Sequence, residues 1–171
     1  MFELKQISKD SIARAIAKAE RYRLLNEPQE AESICRDVLA VDPENQEVQV
    51  MLLLSITDQF GKRADAGVGQ ASEIARKLAG EYERAYYSGI ISERWIKSQL
   101  RGGTHASHAS GWFLETMDFY QKAMALSPAG NNDAVLRWNA CVRFMGRDPS
   151  LQSHPEEPAD EAGLAEGAPT R

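Results

Sequence analysis

Residues 22–45 read YRLLNEPQEAESICRDVLAVDPEN, and the punctuation inside this stretch decides the fold class. Asn26-Glu27-Pro28 stops one helical pattern and opens the next, because proline suits the first helical turn, where its missing N–H is no loss. From Pro28 to Val41 the apolar residues Ala31, Ile34, Cys35, Val38 and Leu39 recur at steps of three and four, which places them on one helical face. Asp42-Pro43 then closes that helix and starts a third. Helices joined by breaks this short must pack as antiparallel neighbours.

The same patterning continues in both directions. A first helix starts near Ser11, with Asp10 or Ser11 as N-cap, and carries the stripe Ile12, Ile16, Ala19 and Tyr22 or Arg23. The third helix, about 44–60, is apolar around most of its circumference at Val48, Val50, Met51, Leu52, Leu53, Leu54 and Ile56, which marks it as central. Residues 61–69 hold three glycines and predict a loop. Over 70–100 one stripe runs through Ile74, Leu78, Tyr82, Ala85, Gly89, Ser92, Ile96 and Leu100. It fits a single long helix of roughly 45 Å, and Gly80 and Gly89 could equally mark a bend in it. A second loop, RGGTHASHAS, covers 101–110; a helix over about 110–126 follows, anchored by Trp112, Phe113, Met117, Tyr120 and Met124. Ser127-Pro128-Ala129-Gly130 breaks it, and a last helix covers about 131–145 with Val135, Leu136, Trp138 and Val142 as its apolar members. Period-two alternation is absent. The expectation is an all-α fold of about six helices with a long central one.

From Gly146 the character changes. The remaining residues hold four of the seven prolines and almost nothing bulky, so they cannot bury enough apolar surface to offset their ordering entropy. The expected organisation is a helical domain over 1–146 and a disordered acidic tail over 147–171.

Composition narrows the function classes. The 171 residues are 43% hydrophobic and 26% charged, which suits one domain with a substantial core. A formal net charge of -5 gives no electrostatic reason to hold nucleic acid or an anionic membrane. The longest apolar run, Val50 to Leu54, is far short of the ~20 residues that span a bilayer. With no signal-peptide pattern in MFELKQI and with Cys35 and Cys141 far apart in helical patterns, the expectation is a cytoplasmic protein with reduced, buried thiols.

The block Tyr22…Ala31…Val38-Leu39-Ala40-Val41-Asp42-Pro43-Glu44-Asn45 resembles a tetratricopeptide repeat, with Ala19 as its small residue before the tyrosine. Small residues there let paired helices approach closely, the aromatic fills the space beside them, and proline starts the next helix. The repeat's usual tryptophan position falls on Ala15. A second copy of the repeat's ending is similar at Tyr120-Gln121-Lys122-Ala123-Met124-Ala125-Leu126-Ser127-Pro128. The segment after it, NNDAVLRWNACVRF, resembles small bacterial proteins of this repeat class. The resemblance covers about 11–60 and 110–146 and lapses between them.

It implies a right-handed α-α superhelix of helix pairs whose first helices line a groove for a peptide or helix of a partner protein. Carried over, the groove positions are Ile16, Glu20 and Arg23, then Glu47, Val50, Leu54 and Thr57, then Val135, Trp138 and Val142. The family's clamp for a C-terminal carboxylate is not implied, because Ile16, Glu20 and Met51 stand at its cationic and amide positions. Independently, Tyr86, Tyr87 and Arg94 lie in the densest mixed zone of aromatics and charges, together with Tyr82, Glu93, Trp95 and Lys97; such residues carry interface hot spots, or wedge helices together under a solvated charged face.

Signals for chemistry are thin. His105 and His108 are three apart, but a metal site needs a third and fourth ligand. Gly102-Gly103-Thr104-His105 lacks the Gly-Lys-Ser/Thr of a P-loop. Carboxylate pairs such as Glu30 and Glu32 are two apart and do not face each other on a helix. The reading is therefore a non-enzymatic interaction module with no catalytic residue, metal or cofactor, no nucleic acid and no membrane. The alternative is a structural homodimer, and behind it a small-molecule or metal-binding enzyme using the 101–110 loop.

Overall fold

The computed structural model describes residues 2–62 and 66–151. Seven α-helices follow in chain order: α1 (Ile12–Leu24), α2 (Pro28–Val41), α3 (Gln46–Thr57), α4 (Ala66–Lys77), α5 (Glu81–Arg101), α6 (Ala106–Leu126) and α7 (Asp133–Met145). Short 3-10 turns stand at Lys9–Ser11 and Pro149–Leu151, and the described residues contain no strand. Each helix packs on the next; α1 also touches α3, and α3 touches α5. No helix among the described residues is long and apolar enough to cross a membrane.

The deciding stretch folds through local capping. Asn26 takes a left-handed φ of 61°. That turn lets the Glu27 amide reach the Tyr22 carbonyl at 2.9 Å and the Asn26 amide reach the Arg23 carbonyl at 3.0 Å, a Schellman closure of α1. Pro28 then opens α2 in its first turn. The third helix departs from the proline reading. Its N-cap is Asn45, whose side chain accepts from the Val48 amide at 3.1 Å, so α3 starts at Gln46, beyond Pro43.

The predicted long central helix is two helices. The chain breaks at residues 78–80, where Gly80 is extended (φ -80°, ψ 140°). Tertiary partners hold the break open: the Ala79 amide donates to Gln46 Oε1 at 2.8 Å, and Arg84 Nη1 donates to the Leu78 and Ala79 carbonyls at 2.6 and 2.8 Å. The apolar stripe continues across the break because Leu78, 2% exposed, still faces the core. Both glycine-rich loops are shorter than predicted. α4 begins at Ala66 and α6 at Ala106. Gly67 lies inside α4, where a Cβ would stand 3.1 Å from Ile56 Cγ2 of α3 and 3.2 Å from Phe60 Cε1.

Two large core clusters result, with a small third one at Ala85, Ala123 and Ala134. One large cluster joins α1–α4 through Ala19, Ala31, Val38, Val48, Leu53 and Ala71; the other joins α5–α7 through Ile90, Ile96, Phe113, Tyr120 and Cys141. Leu54 and Tyr87 pack against both. The packed chain also continues past residue 146, since Leu151 is only 4% exposed against the second cluster; the rest of the acidic tail, 152–171, lies outside the described residues.

Cys35 and Cys141 are free and buried, in separate clusters. Burial pushes their thiols up to about 11 and about 12. Neither thiol should react with Ellman's reagent in the native protein at about pH 8, and both should react once denaturant is added. Fast native reaction of either would contradict the packing.

Candidate functional site

Asp58 closes α3 at its C-cap, and three helices meet on its carboxylate. Oδ2 accepts from Arg23 Nε of α1 at 2.9 Å and pairs with Arg23 Nη2 at 2.9 Å, and Oδ1 accepts from Arg94 Nη1 of α5 at 2.6 Å. The same Arg94 nitrogen donates to Thr57 Oγ1 at 2.5 Å and to the Leu54 carbonyl at 3.3 Å. Burial and the neighbouring Arg23 weaken the Arg94 guanidinium's hold on its proton, while Asp58 opposes them. Arg94 stays charged at any ordinary pH, so one carboxylate faces two cations and the local balance is positive.

A cleft of about 220 Å³ opens beside this node, lined by Thr57, Asp58, Phe60, Arg94, Lys97 and Arg101. Its three cations follow at steps of three and four along α5, so they share one helical face. Arg101 is exposed at the end of α5. Lys97 bridges α5 to α7: its Nζ bonds Glu93 Oε1 at 2.5 Å and stands 4.9 Å from the Phe144 ring centroid. With Arg23 bonded to Asp58 beside the cleft, four cations stand against two carboxylates, Asp58 and the Glu93 that holds Lys97.

The wall behind Lys97 is a buried ionic cluster. Glu93 is 2% exposed. Besides Lys97, its carboxylate accepts from the Tyr120 hydroxyl at 2.5 Å and has Arg137 Nη1 at 3.8 Å. Burial pushes the Glu93 carboxyl up, but the bonds from Lys97 and Tyr120 and the charges of Lys97 and Arg137 outweigh it and hold it below its ordinary value. Burial pulls the Arg137 guanidinium down, but Glu93, with Tyr86 nearby, outweighs it and holds it above its ordinary value. This cluster fixes Lys97 at the mouth of the cleft.

The structure draws only some of the predicted residues into the cleft. Arg23, Leu54, Thr57 and Arg94 meet around Asp58. Glu20 and Glu47 are exposed, Val50 is half-buried, and Ile16 packs against the first core cluster. Tyr86 and Tyr87 are taken up by packing: Tyr86 stacks on Tyr82 at 5.6 Å and meets Tyr87 edge-on at 5.1 Å, and burial pushes the Tyr87 hydroxyl up to about 12. Trp138 packs into the second cluster, whereas Val135 and Val142 are 38% and 47% exposed. Sequence reading missed Asp58 and Arg101. The 94, 97, 101 spacing was the available signal, but the carboxylate's role needed the meeting of α1, α3 and α5.

The arrangement suits holding an anion. Both thiols lie in the core, away from it. Among the described residues, no three His, Cys, Asp or Glu side chains converge as metal ligands. The side chain of His108 lies outside the described residues. Comparison with family models, with curated proteins and with solved structures finds no match.

Proposed function

We propose that this chain is a non-enzymatic interaction module, a superhelix of tetratricopeptide-like helix pairs that binds an acidic segment of a partner protein along the face shared by α1, α3, α5 and α7. The observation that carries the reading is the excess of cations at the cleft: Arg94, Lys97 and Arg101 in its lining and Arg23 beside it, against the carboxylates of Asp58 and Glu93, in a chain whose net charge is -5. A local field opposite to the overall charge orients and selects a ligand. The contacts of α1 with α3 and of α3 with α5 supply a continuous surface beside the cleft. A protein segment fits better than nucleic acid, because the chain's overall charge repels a long polyphosphate.

The test is fluorescence anisotropy with labelled glutamate and lysine decamers and a single-stranded oligonucleotide, at about 50 and about 500 mM salt. The glutamate decamer should bind best, lose affinity with salt, and lose about tenfold on Arg101→Glu, a loss typical of removing an interfacial charge contact. Arg101 is chosen because it is exposed and Leu54 is not; an acid at Leu54 would break the packing between both core clusters. Equal binding of the two peptides, or tighter binding of the oligonucleotide, would sink the reading.

Self-association is favoured by a different observation. On α7, Val135, Leu136 and Val142 are 38%, 64% and 47% exposed, on the last helix of the array. An end helix with an apolar outer side is where a second copy would pack. Light scattering over a concentration series decides it: a constant monomer mass removes this second reading.

A further inference from the structure

The cleft has a ligand of the right charge within the same chain. The described chain ends at Leu151, packed in the cluster that holds Ile96 of α5 and Phe113 of α6, with Leu100, Ala106 and Phe144 against it. Phe144 is the residue beneath Lys97 Nζ. The 149–151 turn packs on α6, so the chain leaves the fold from the core cluster shared by α5, α6 and α7, the cluster that also holds Phe144. Residues 152–171 carry Glu156, Glu157, Asp160, Glu161 and Glu166 against a single Arg171. From Leu151, an extended chain reaches Glu156 in about 17 Å and Glu161 in about 34 Å, a reach comparable with the whole length of α5, about 32 Å for its 21 residues.

We propose that the acidic segment 156–161 of this chain docks in its own cationic cleft, on Arg94, Lys97 and Arg101, and so competes with an acidic partner for that surface. Tethering decides the balance. A short linker places the segment at an effective concentration in the millimolar range, so contacts too weak to hold a free peptide suffice. Asp58 already takes part of the charge of Arg23 and Arg94, and Glu93 part of that of Lys97, which keeps the docked state reversible. Docking itself does not depend on the proposed partner; only the competition rests on that reading.

The experiment uses the full chain with Ala162→Cys carrying a spin label. Cys35 and Cys141, buried, are left unlabelled. Amide resonances of residues 57–60 and 94–101 should broaden at about 50 mM salt and recover at about 500 mM. They should also recover when Glu156→Gln, Glu157→Gln, Asp160→Asn and Glu161→Gln are combined, a variant that leaves every described residue unchanged. Broadening that is absent, spread over the whole surface, or indifferent to both changes overturns the docking. In the second arm, the neutralised tail should tighten glutamate-decamer binding about tenfold; unchanged affinity overturns the competition. Cleft-confined broadening with no decamer binding by either chain leaves the docking standing and overturns the partner reading alone.

Discussion

Lys97→Met is expected to lower the stability of the fold by about 3 kcal/mol at neutral pH, which is roughly 6–12 °C in Tm for a chain of this size. The methionine keeps most of the side-chain length beside Phe144 but removes the cation bonded to Glu93 at 2.5 Å. Glu93 is 2% exposed, so the carboxylate cannot recover that partner from water. Tyr120 still donates to it, and Arg137 remains at 3.8 Å, which holds the loss at the lower end of the range for a broken buried pair. The reverse loss is smaller: Lys97 itself is 24% exposed and regains water when Glu93 is removed. Glu93→Leu with Tyr120→Phe in the Lys97→Met background should therefore return about 1–2 kcal/mol, because the stranded charge and the unpaired hydroxyl go together.

The pH dependence separates this account from a simple packing loss. In the wild type the folded-state value of Glu93 lies below its unfolded value. Its contribution is present above the unfolded carboxyl value of about 4.3 and is lost as pH falls through the folded value. In Lys97→Met burial dominates and the folded value rises above the unfolded one. The variant then loses stability at neutral pH, where the unfolded carboxyl is ionised, and less as pH falls toward the unfolded value. The gap in Tm between wild type and variant should narrow from about pH 7 to about pH 4.5. A gap of the same size at both would show that Lys97 acts through its methylenes and not through its charge.

What the sequence revealed follows from how far each interaction reaches along the chain. The helices around residues 22–45 are legible because their ends are closed locally: Asn26 and Glu27 bond back to Arg23 and Tyr22, and Pro28 sits where its ring is tolerated. The break at 78–80 is legible only as a possible bend at Gly80; what makes it a break is Gln46, 33 residues away from the amide it caps, together with Arg84. Its stripe kept the helical spacing on both sides, so periodicity alone favoured one rod. The cleft shows the same division. Arg94 and Lys97 stand out as charges among aromatics on one helix, whereas Asp58 gathers partners from 35 and 36 residues away. A net charge of -5 also concealed a positive local face, since the sum over a chain carries no geometry.

Gly89→Ala sets two local rules against each other, and the fold decides between them. Helix propensity alone favours the change by about 1 kcal/mol, since Gly89 lies inside α5. Tertiary packing opposes it. A Cβ at residue 89 would stand 2.6 Å from Tyr120 Cε1 and 2.8 Å from Cδ1, well inside contact distance. Tyr120 has no free direction to yield. It is fully buried, its ring lies against Tyr86 at 6.2 Å, and its hydroxyl is bonded to Glu93. Moving the ring lengthens a bond to a charged group, worth about 1.5–3 kcal/mol, and keeping it in place overpacks the α5–α6 seam by about 1–3 kcal/mol. The clash wins, and the expected result is a net loss of about 2 kcal/mol, or roughly 4–8 °C in Tm. Gly111→Ala supplies the control in α6: that glycine is exposed, nothing lies within 4 Å of its Cβ position, and the same substitution should stabilise by up to about 1 kcal/mol. Against a Tyr120→Leu background, with the ring gone, Gly89→Ala should also turn neutral or stabilising. Thermal melts that show equal effects at residues 89 and 111, or a Gly89→Ala loss that persists without the ring, would remove Tyr120 as the reason for a glycine in the middle of α5.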